Sequence, residues 1–300
     1  MEKSSSIFEI WQGQIADVGF GKSQNKVISI GGILQVEETF DMNTEKKKSV
    51  AEIKQEIETA GDLLEDVLVS YETDSRKGVQ NLLQRARKQQ ERLQQEKERL
   101  QQMCVYEQKY QSYQAVCGID EAGRGPLAGP VVAGAVILPK DCEILYLNDS
   151  KKLSEAKREQ LYEEIQKKAL AWAVGIVSPE RIDEINILQA TYEAMRQAVS
   201  QLTLTPDLLL VDAVHIPEVS QKQVGIIKGD AKSVSIAAAS IMAKVTRDHL
   251  MLQMDDLYPE YGFASHKGYG SQAHIAAIRQ YGPCPIHRRT FIKNFISPMQ

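Results

Sequence analysis

The chain has 300 residues, enough for one large domain or two modest ones, and its apolar fraction of 43% can build a hydrophobic core. A formal net charge of −4 and a pI near 5.8 exclude a basic surface all round, so any nucleic-acid surface must be a local patch. The four cysteines at 104, 117, 142 and 284 lack the paired spacing of a zinc site or a disulfide framework.

The N-terminus lacks the basic and apolar regions of a signal peptide. No apolar run approaches the roughly 20 residues that a membrane span needs. We therefore expect a soluble, cytoplasmic protein with reduced thiols and no membrane partner.

Residues 1–41 are predicted to form a poorly defined N-terminal appendage. Residues 26–30 alternate as a strand does, and a small hairpin and a disordered terminus are equally compatible with the pattern. Met42 stands just before the helical sequence begins and is a possible alternative start, so translation from Met1 and from Met42 both stay open.

Residues 42–112 are predicted to be a charged helical extension. A capping box at residues 49–52 opens a first helix, the apolar residues of 63–68 indicate a second, and 77–103 form a long polar helix. Only Ala86, Leu93 and Leu100 recur at heptad spacing on that long helix, which is too few apolar residues for a stable coiled coil.

The long helix also carries four basic residues near one face, and they are either solvated or in contact with a duplex backbone. They are Arg85, Lys88, Arg92 and Arg99. Beyond the helix, three tyrosines are predicted to dock the extension onto the next domain. They are Tyr106, Tyr110 and Tyr113.

From residue 113 to residue 300, apolar strands alternate with helical segments, which predicts an α/β domain with a mixed sheet. The predicted strands are 115–119, 130–138, 171–177, 207–211 and 224–228. The predicted helices are 154–170, 187–201, 233–257 and 271–280.

Acidic residues follow several of these strands. Asp120 and Glu121 are adjacent and would repel one another without a cation nearby. Asp212 and Asp230 also stand at predicted strand ends, the edge where open α/β sheets place their ligands. Alone, Asp212 could simply end its strand and Asp230 could cap the next helix, but their occurrence with Asp120 and Glu121 favours a shared metal site.

The stretch from Gly118 to Val132, G-I-D-E-A-G-R-G-P-L-A-G-P-V-V, resembles the signature of the bacterial ribonuclease HII family. The resemblance covers about residues 113–293. It continues through D-S-K-K-L at 149–153, V-D-A at 211–213, K-G-D-A-K-S at 228–233, K-G-Y-G at 267–270 and H-R-R-T-F at 287–291. It implies a ribonuclease H-like mixed sheet flanked by helices, with antiparallel first strands and parallel later ones.

The resemblance also implies a catalytic set of four metal-binding acids, Asp120, Glu121, Asp212 and Asp230. The implied cofactor is Mg²⁺ or Mn²⁺, with two ions during catalysis. The related type HIII enzymes have Glu where Asp230 stands and an N-terminal sheet platform where this chain has predicted helices.

The substrate contacts implied by the resemblance begin with the loop Gly123-Arg124-Gly125, which would recognise the RNA-to-DNA junction. Tyr269 would pack against the sugar beside the junction. The candidate contacts to the phosphate backbone are Ser150, Lys151, Asn186 and Ser233. The basic residues of 287–289 would support the backbone or the fold, and Ser271 replaces the Thr of many members while keeping a hydroxyl. The remaining histidines, 215, 249, 266 and 274, show no ligand spacing and are predicted to be surface or packing residues.

We therefore expect a monomeric, metal-dependent endoribonuclease of DNA replication and repair. It would cut RNA–DNA hybrids and duplex DNA with single embedded ribonucleotides, leaving 5′-phosphate and 3′-hydroxyl ends. One alternative is a hybrid nuclease without junction preference, and the other is a non-catalytic nucleic-acid-binding adaptor. A binding module has no need for converging carboxylates beside a phosphate, so the four acids argue against the adaptor.

Overall fold

The computed structural model describes residues 47–296. The chain divides into a unit of residues 1–49 and a unit of residues 50–300, and the description below concerns the second. The predictions for residues 1–41 and for Met42 lie outside the described residues. Among the helices described here, none is long and apolar enough to cross a membrane.

The N-terminal part of this unit is helical, as predicted. Its helices are α1 Val50–Thr59, α2 Leu64–Ser70, α3 Lys77–Met103 and α4 Val105–Lys109. The first half of α3 packs Val79 and Leu83 against Ile53 of α1 and Leu68 of α2. The last turn of α3 packs elsewhere, because Leu100 and Met103 contact the core of the sheet domain. The apolar residues of α3 therefore serve two separate contacts, one with α1 and α2 and one with the sheet domain, and do not form a coiled-coil seam.

The three tyrosines dock the helical segment onto the sheet domain, which confirms that prediction. Tyr106, Tyr110 and Tyr113 pack against a cluster that includes Leu208 and Ile236. Of the four basic residues on α3, Arg99 is occupied within the protein, where it pairs with Glu96 and donates to the carbonyl of Leu147 at 2.6 Å.

The sheet domain is built on five strands in the order β3-β2-β1-β4-β5. The strands are β1 Val116–Ala122, β2 Val131–Ile137, β3 Ala171–Val177, β4 Leu208–Asp212 and β5 Lys222–Ile226. β1, β2 and β3 pair antiparallel, whereas β4 and β5 continue the sheet in parallel from β1. The predicted mixed sheet, with antiparallel strands first, is confirmed.

Helices cover both faces of the sheet. They are α5 Glu155–Lys168, α6 Pro179–Ser200, α7 Val234–Leu257, α8 Phe263–His266, α9 Gln272–Tyr281 and α10 Arg289–Ile292. α7 packs on β1 and β2, and α6 packs on β2 and β3. The contact with α7 is so close that a Cβ at Gly118 would lie 2.0 Å from the carbonyl carbon of Ser235. Glycine at this position therefore sets the distance between β1 and α7.

Helix α6 begins earlier than predicted. The sequence predicted a helix from residue 187, whereas α6 starts at Pro179 behind the N-cap Ser178. Asn186 interrupts it with φ of 68°, and its side-chain oxygen accepts hydrogen bonds from the N–H groups of Leu188 and Gln189 at 3.0 and 3.2 Å. The prediction thus recovered the second half of a kinked helix and missed the first.

Candidate active site

Two of the four predicted acids lie side by side at the ends of neighbouring parallel strands. Ile119 of β1 pairs with Val211 of β4, so the next residues, Asp120 and Asp212, are adjacent across the ladder. Neighbouring strands are about 4.8 Å apart, which brings both carboxylates to the same edge of the sheet. Glu121 follows directly, as the last residue but one of β1.

The fourth acid reaches this edge through a short helical turn, Gly229–Ala231. Asp212 Oδ1 accepts a hydrogen bond from the N–H of Gly229 at 2.7 Å, which fixes the turn beside β4. Ala213 and Lys228 adopt positive φ values of 55° and 57°, a conformation uncommon for residues with a side chain. Such backbone conformations persist where the surrounding structure enforces them, often at functional sites. The structure thus brings Asp230 toward Asp212.

The predicted acids act electrostatically on one another. The pKa of Asp120, which is only 5% exposed, is raised well above its usual value by burial, and next by Glu121 and Asp212. Burial and Asp212 also raise the pKa of Glu121, against the opposing effect of Arg124 and Lys151. Each carboxylate therefore disfavours the ionisation of its neighbours, and a bound cation would relieve this repulsion.

The same effect extends to Asp230. Its pKa is raised by burial first, then by Asp149 and Asp212, while Lys151 acts in the opposite direction. Asp149 therefore lies close to Asp230. The analysis of the sequence did not name Asp149 as a candidate acid, although it opens the D-S-K-K-L motif. Its place in that motif, just before Lys151, was the available signal.

The donor set fits a hard divalent cation. Asp120, Glu121, Asp212 and Asp230 supply oxygen ligands only, which suits Mg²⁺ and Mn²⁺ better than softer metals. Within residues 47–296, no three acidic, histidine or cysteine side chains are already arranged so that they could hold a metal ion. An open set is compatible with Mg²⁺, because this ion keeps several waters and takes few protein ligands.

A second residue that the sequence did not reveal is Ser240 of α7. Its hydroxyl hydrogen-bonds to the Asp120 carboxylate, and it lies 3.0 Å from the hydroxyl of Ser150. Ser240 therefore connects the buried acid to the D-S-K-K-L segment. Nothing in the local sequence of α7 distinguishes this serine from the serines at 233 and 235.

Arg124 and Lys151 are exposed and lie beside the acids. Arg124 Nη1 is 3.3 Å from Glu121 Oε1, and Lys151 acts electrostatically on both Glu121 and Asp230. Two cations at the rim of a carboxylate cluster are well placed to bind the phosphates of a polyanion. Their predicted contact with substrate stays a prediction.

Tyr269 lies beside the Gly-Arg-Gly loop. This residue is 45% exposed, and a Cβ built on Gly125 would be 3.9 Å from the Cε1 atom of its ring. The 267–270 segment is joined to the same region, because the N–H of Leu127 donates to the carbonyl of Gly268 at 2.9 Å. An exposed aromatic residue thus borders the loop that follows Asp120 and Glu121.

The two serines predicted as phosphate contacts are placed differently. Ser150 and Ser233 are buried, at 4% and 0% exposure. The hydroxyl of Ser150 is engaged with Ser240, and that of Ser233 donates to Glu107 of α4 at 2.6 Å and caps α7 through the N–H of Ile236. A direct contact from these hydroxyls to a phosphate conflicts with this burial, so both serines support the segments that carry Lys151 and Lys232.

Asn186, the remaining candidate contact, is exposed. Its side-chain oxygen is already used to cap the second half of α6. Capping accounts for an asparagine at this position without a ligand.

The fold and the acid cluster define a nuclease of the ribonuclease H-like class. The ribonuclease HII family model matches residues 117–294, and the model of the ribonuclease HII N-terminal domain matches residues 49–111. The chain belongs to the ribonuclease HII family, and membership implies ribonuclease H activity on RNA–DNA hybrids.

Individual relatives agree with this assignment. The chain is 58% identical over 249 residues to ribonuclease HII of Lachnoclostridium phytofermentans, covering 83% of this chain and 98% of the relative. It is 52% identical over 252 residues to ribonuclease HII of Clostridioides difficile, covering 83% and 99%. Among solved structures, ribonuclease H2 of Pyrococcus horikoshii OT3 matches with a TM-score of 0.52 and 30% identity, over 61% of this chain and 97% of that one.

Proposed function

We propose that the protein is a metal-dependent endoribonuclease that cuts the RNA strand of RNA–DNA hybrids and also cuts at single ribonucleotides embedded in duplex DNA. The products would carry 5′-phosphate and 3′-hydroxyl ends. The observation that carries this proposal is the adjacency of Asp120 and Asp212 at one sheet edge, within an acid cluster that includes Glu121 and Asp230.

Asp120, Glu121, Asp212 and Asp230 would hold the divalent ions. Bound Mg²⁺ or Mn²⁺ would supply activation of the attacking water and stabilisation of negative charge at the phosphate. Asp149 stands beside Asp230 and would add its negative charge to the site that the ions occupy. Ser240, which donates to the Asp120 carboxylate, would keep that carboxylate oriented toward the cluster.

The exposed cations would position the scissile strand. Arg124 and Lys151 flank the acids, and a phosphate bound between them would be held over the carboxylate edge. Holding a reactant in this geometry turns the cleavage into an effectively unimolecular step. These contacts are to the backbone and carry no sequence information, which suits an enzyme that must act at any ribonucleotide.

Recognition of RNA would come from the Gly123-Arg124-Gly125 loop, whose backbone approaches a ligand without side chains in the way. A 2′-hydroxyl is what distinguishes a ribonucleotide, and it can accept a hydrogen bond from a backbone N–H. The exposed Tyr269 ring would pack on the following sugar, where a second 2′-hydroxyl would crowd it. The enzyme would therefore favour DNA after the ribonucleotide.

The test of the metal site combines cleavage with binding. Asp120→Asn and Asp212→Asn should abolish cleavage of an RNA–DNA hybrid and weaken Mn²⁺ binding measured by calorimetry, while circular dichroism shows an intact fold. Asp141→Asn, at an exposed position, is the matched control and should behave as the wild type. Near-normal turnover in either of the first two variants would contradict the assignment.

The thiols support the proposed cytoplasmic location. All four cysteines, at 104, 117, 142 and 284, are free. Free cysteines are typical of a reducing compartment. We also propose that the protein acts as a monomer on its duplex, since the proposed site is assembled from residues of one chain.

A further inference from the structure

Two fully buried arginines stand behind the loop that we assign to ribonucleotide recognition. Arg247 of α7 is 1% exposed and Arg288, just before α10, is 0% exposed. Within residues 47–296, neither forms an ion pair with a carboxylate. Burying a guanidinium is costly unless its N–H groups are satisfied, so the partners of these two side chains indicate what they are for.

Both guanidinium groups donate to backbone carbonyls. Arg247 donates to Pro130 at 2.9 Å and to Ala128 at 3.0 Å. Arg288 donates to the carbonyl between them, that of Gly129, at 3.0 Å. The two side chains thus hold three consecutive carbonyls of the segment 128–130.

Each arginine then reaches one of the two proposed recognition elements. Arg288 donates to the carbonyls of Gly123 at 2.5 Å and Arg124 at 2.9 Å. Arg247 donates to the carbonyl of Lys267 at 2.9 Å, and its guanidinium lies 5.9 Å from the centre of the Tyr269 ring. One shared segment therefore joins the Gly-Arg-Gly loop to the tyrosine.

The contacts of Arg288 determine where the loop's donors point. In a planar trans peptide the C=O and the N–H of one unit point in opposite directions. Pinning the carbonyls of Gly123 and Arg124 to a buried guanidinium therefore turns the N–H groups of Arg124 and Gly125 away from the core. Within the described part of the chain, neither N–H donates to another atom.

Gly123 makes this arrangement possible. Its φ is +92°, and a Cβ built on it would lie 2.1 Å from Arg247 Nε. Only glycine allows the chain to run this close to the guanidinium. The loop conformation and the buried arginines are thus mutually dependent.

We propose that Arg288 and Arg247 are positioning residues for specificity. Arg288 orients the loop N–H groups toward a ribose 2′-hydroxyl, and Arg247 holds the Tyr269 ring at a fixed position relative to that loop. This inference rests on the proposed function. It assigns to buried residues a role that the exposed loop and ring alone would not fulfil.

The first test measures two ratios. One is the affinity for a duplex with a single ribonucleotide relative to the same all-DNA duplex, with Ca²⁺ replacing Mg²⁺ and cleavage checked to be absent. The other is the single-turnover rate on the single-ribonucleotide duplex relative to an all-RNA hybrid. Arg288→Lys should reduce the first ratio about tenfold, the effect of one lost hydrogen bond to the ligand. Arg247→Lys should mainly reduce the second.

Ile165→Ala is the structural control, because Ile165 is fully buried in α5 and has no contact with the loop. It should lower the melting temperature while leaving both ratios unchanged. If both lysine variants fold and keep both wild-type ratios, the positioning role is wrong although the proposed function stands. If the wild type itself shows no preference for a ribonucleotide, the proposed function fails and this inference with it.

A measurement on the wild type needs no variant. The amide hydrogens of Arg124 and Gly125 should exchange rapidly in the free protein and slowly when the single-ribonucleotide duplex is bound in Ca²⁺. The all-DNA duplex should give less protection. Unchanged exchange of both amides on binding would overturn the inference, even if the lysine variants do not fold.

Discussion

Two neutral histidines, hydrogen-bonded to each other and to the carbonyl of Tyr269, make the stability of the protein depend on pH. His274 Nδ1 donates to the carbonyl of Tyr269 at 2.9 Å, so its Nε2 must accept. His287 Nδ1 accepts from the N–H of Cys284 at 3.0 Å, so its Nε2 carries the proton and donates to His274 Nε2 at 3.0 Å. Both imidazoles can form these hydrogen bonds only when neutral. A proton added to His274 Nε2 would face the N–H of His287 Nε2, and the hydrogen bond between the two rings would be lost.

Burial lowers the pKa of His274 and His287 from 6.5 to about 4. For a group whose pKa is lowered by folding, the stabilisation is complete above pH 6.5 and is lost as the pH falls toward 4. At pH 5 the loss for one such histidine is about 2 kcal/mol, from a difference of about 2.5 pKa units. The other titratable or charged groups around the pair are His266, Tyr261, Cys284, Glu260 and Arg289, and burial raises the pKa of Tyr261 and Cys284, so both stay neutral in this pH range.

The assay is urea unfolding at pH 7.5 and pH 5.0. His274→Gln should lower the free energy of unfolding at pH 7.5 because hydrogen bonds are lost, but its further loss on going to pH 5.0 should be about 2 kcal/mol smaller than that of the wild type. The raised pKa of Asp120 acts with the opposite sign and is common to both proteins. His215→Gln, at an exposed position, is the control and should keep the wild-type loss. An equal loss for His274→Gln and the wild type would refute the buried neutral pair.

Three further substitutions test the packing and the site. Gly118→Ala should lower the free energy of unfolding by about 3 kcal/mol or more, because its Cβ meets the backbone of α7; a urea midpoint equal to that of the wild type would contradict this contact. Glu107→Ala should lower the free energy of unfolding by about 1–3 kcal/mol, since the buried Ser233 hydroxyl loses its acceptor, whereas the exposed Glu98→Ala should have little effect. Tyr269→Ala should slow single-turnover cutting at one embedded ribonucleotide far more than it weakens binding, and equal small losses on that substrate and on an all-RNA hybrid would show a packing residue.

The architecture could be predicted because the pattern of apolar segments is local. Strands such as 130–138 and the helix at 233–257 are visible as apolar runs bounded by turn residues. The side-by-side position of Asp120 and Asp212 was only an expectation, since it depends on β4 pairing with β1 across about 90 intervening residues. Sheet order is a property of the folded chain, and no local pattern encodes it.

The parts of the site that the sequence did not reveal depend on contacts between distant segments. Ser150 meets Ser240 from 90 positions away, and Ser233 meets Glu107 from 126 positions away. A serine in an S-K motif looks the same whether it faces solvent or is buried, so burial could not be predicted for Ser150 or Ser233. Asp149 was overlooked for a related reason, because its partner Asp230 lies on another loop.

The role of the basic cluster near the C-terminus could be predicted in part. The sequence predicted that residues 287–289 support the substrate backbone or the fold, and Arg288 supports the fold through three carbonyls of the protein main chain. Which segments it holds could not be predicted, because Gly123 and Arg124 lie more than 160 positions away. His266 and His274 pack as the sequence predicted, while His215 and His249 are exposed.

The most direct test of the central claim is cleavage of a DNA duplex with one ribonucleotide, with the product ends mapped, in the presence and absence of Mg²⁺ or Mn²⁺. The account predicts a single cut beside the ribonucleotide that requires the metal, leaves 5′-phosphate and 3′-hydroxyl ends and is lost in Asp212→Asn. Metal-independent cutting, full activity in Asp212→Asn, or no cut at a single ribonucleotide under conditions where an all-RNA hybrid is cleaved would contradict it.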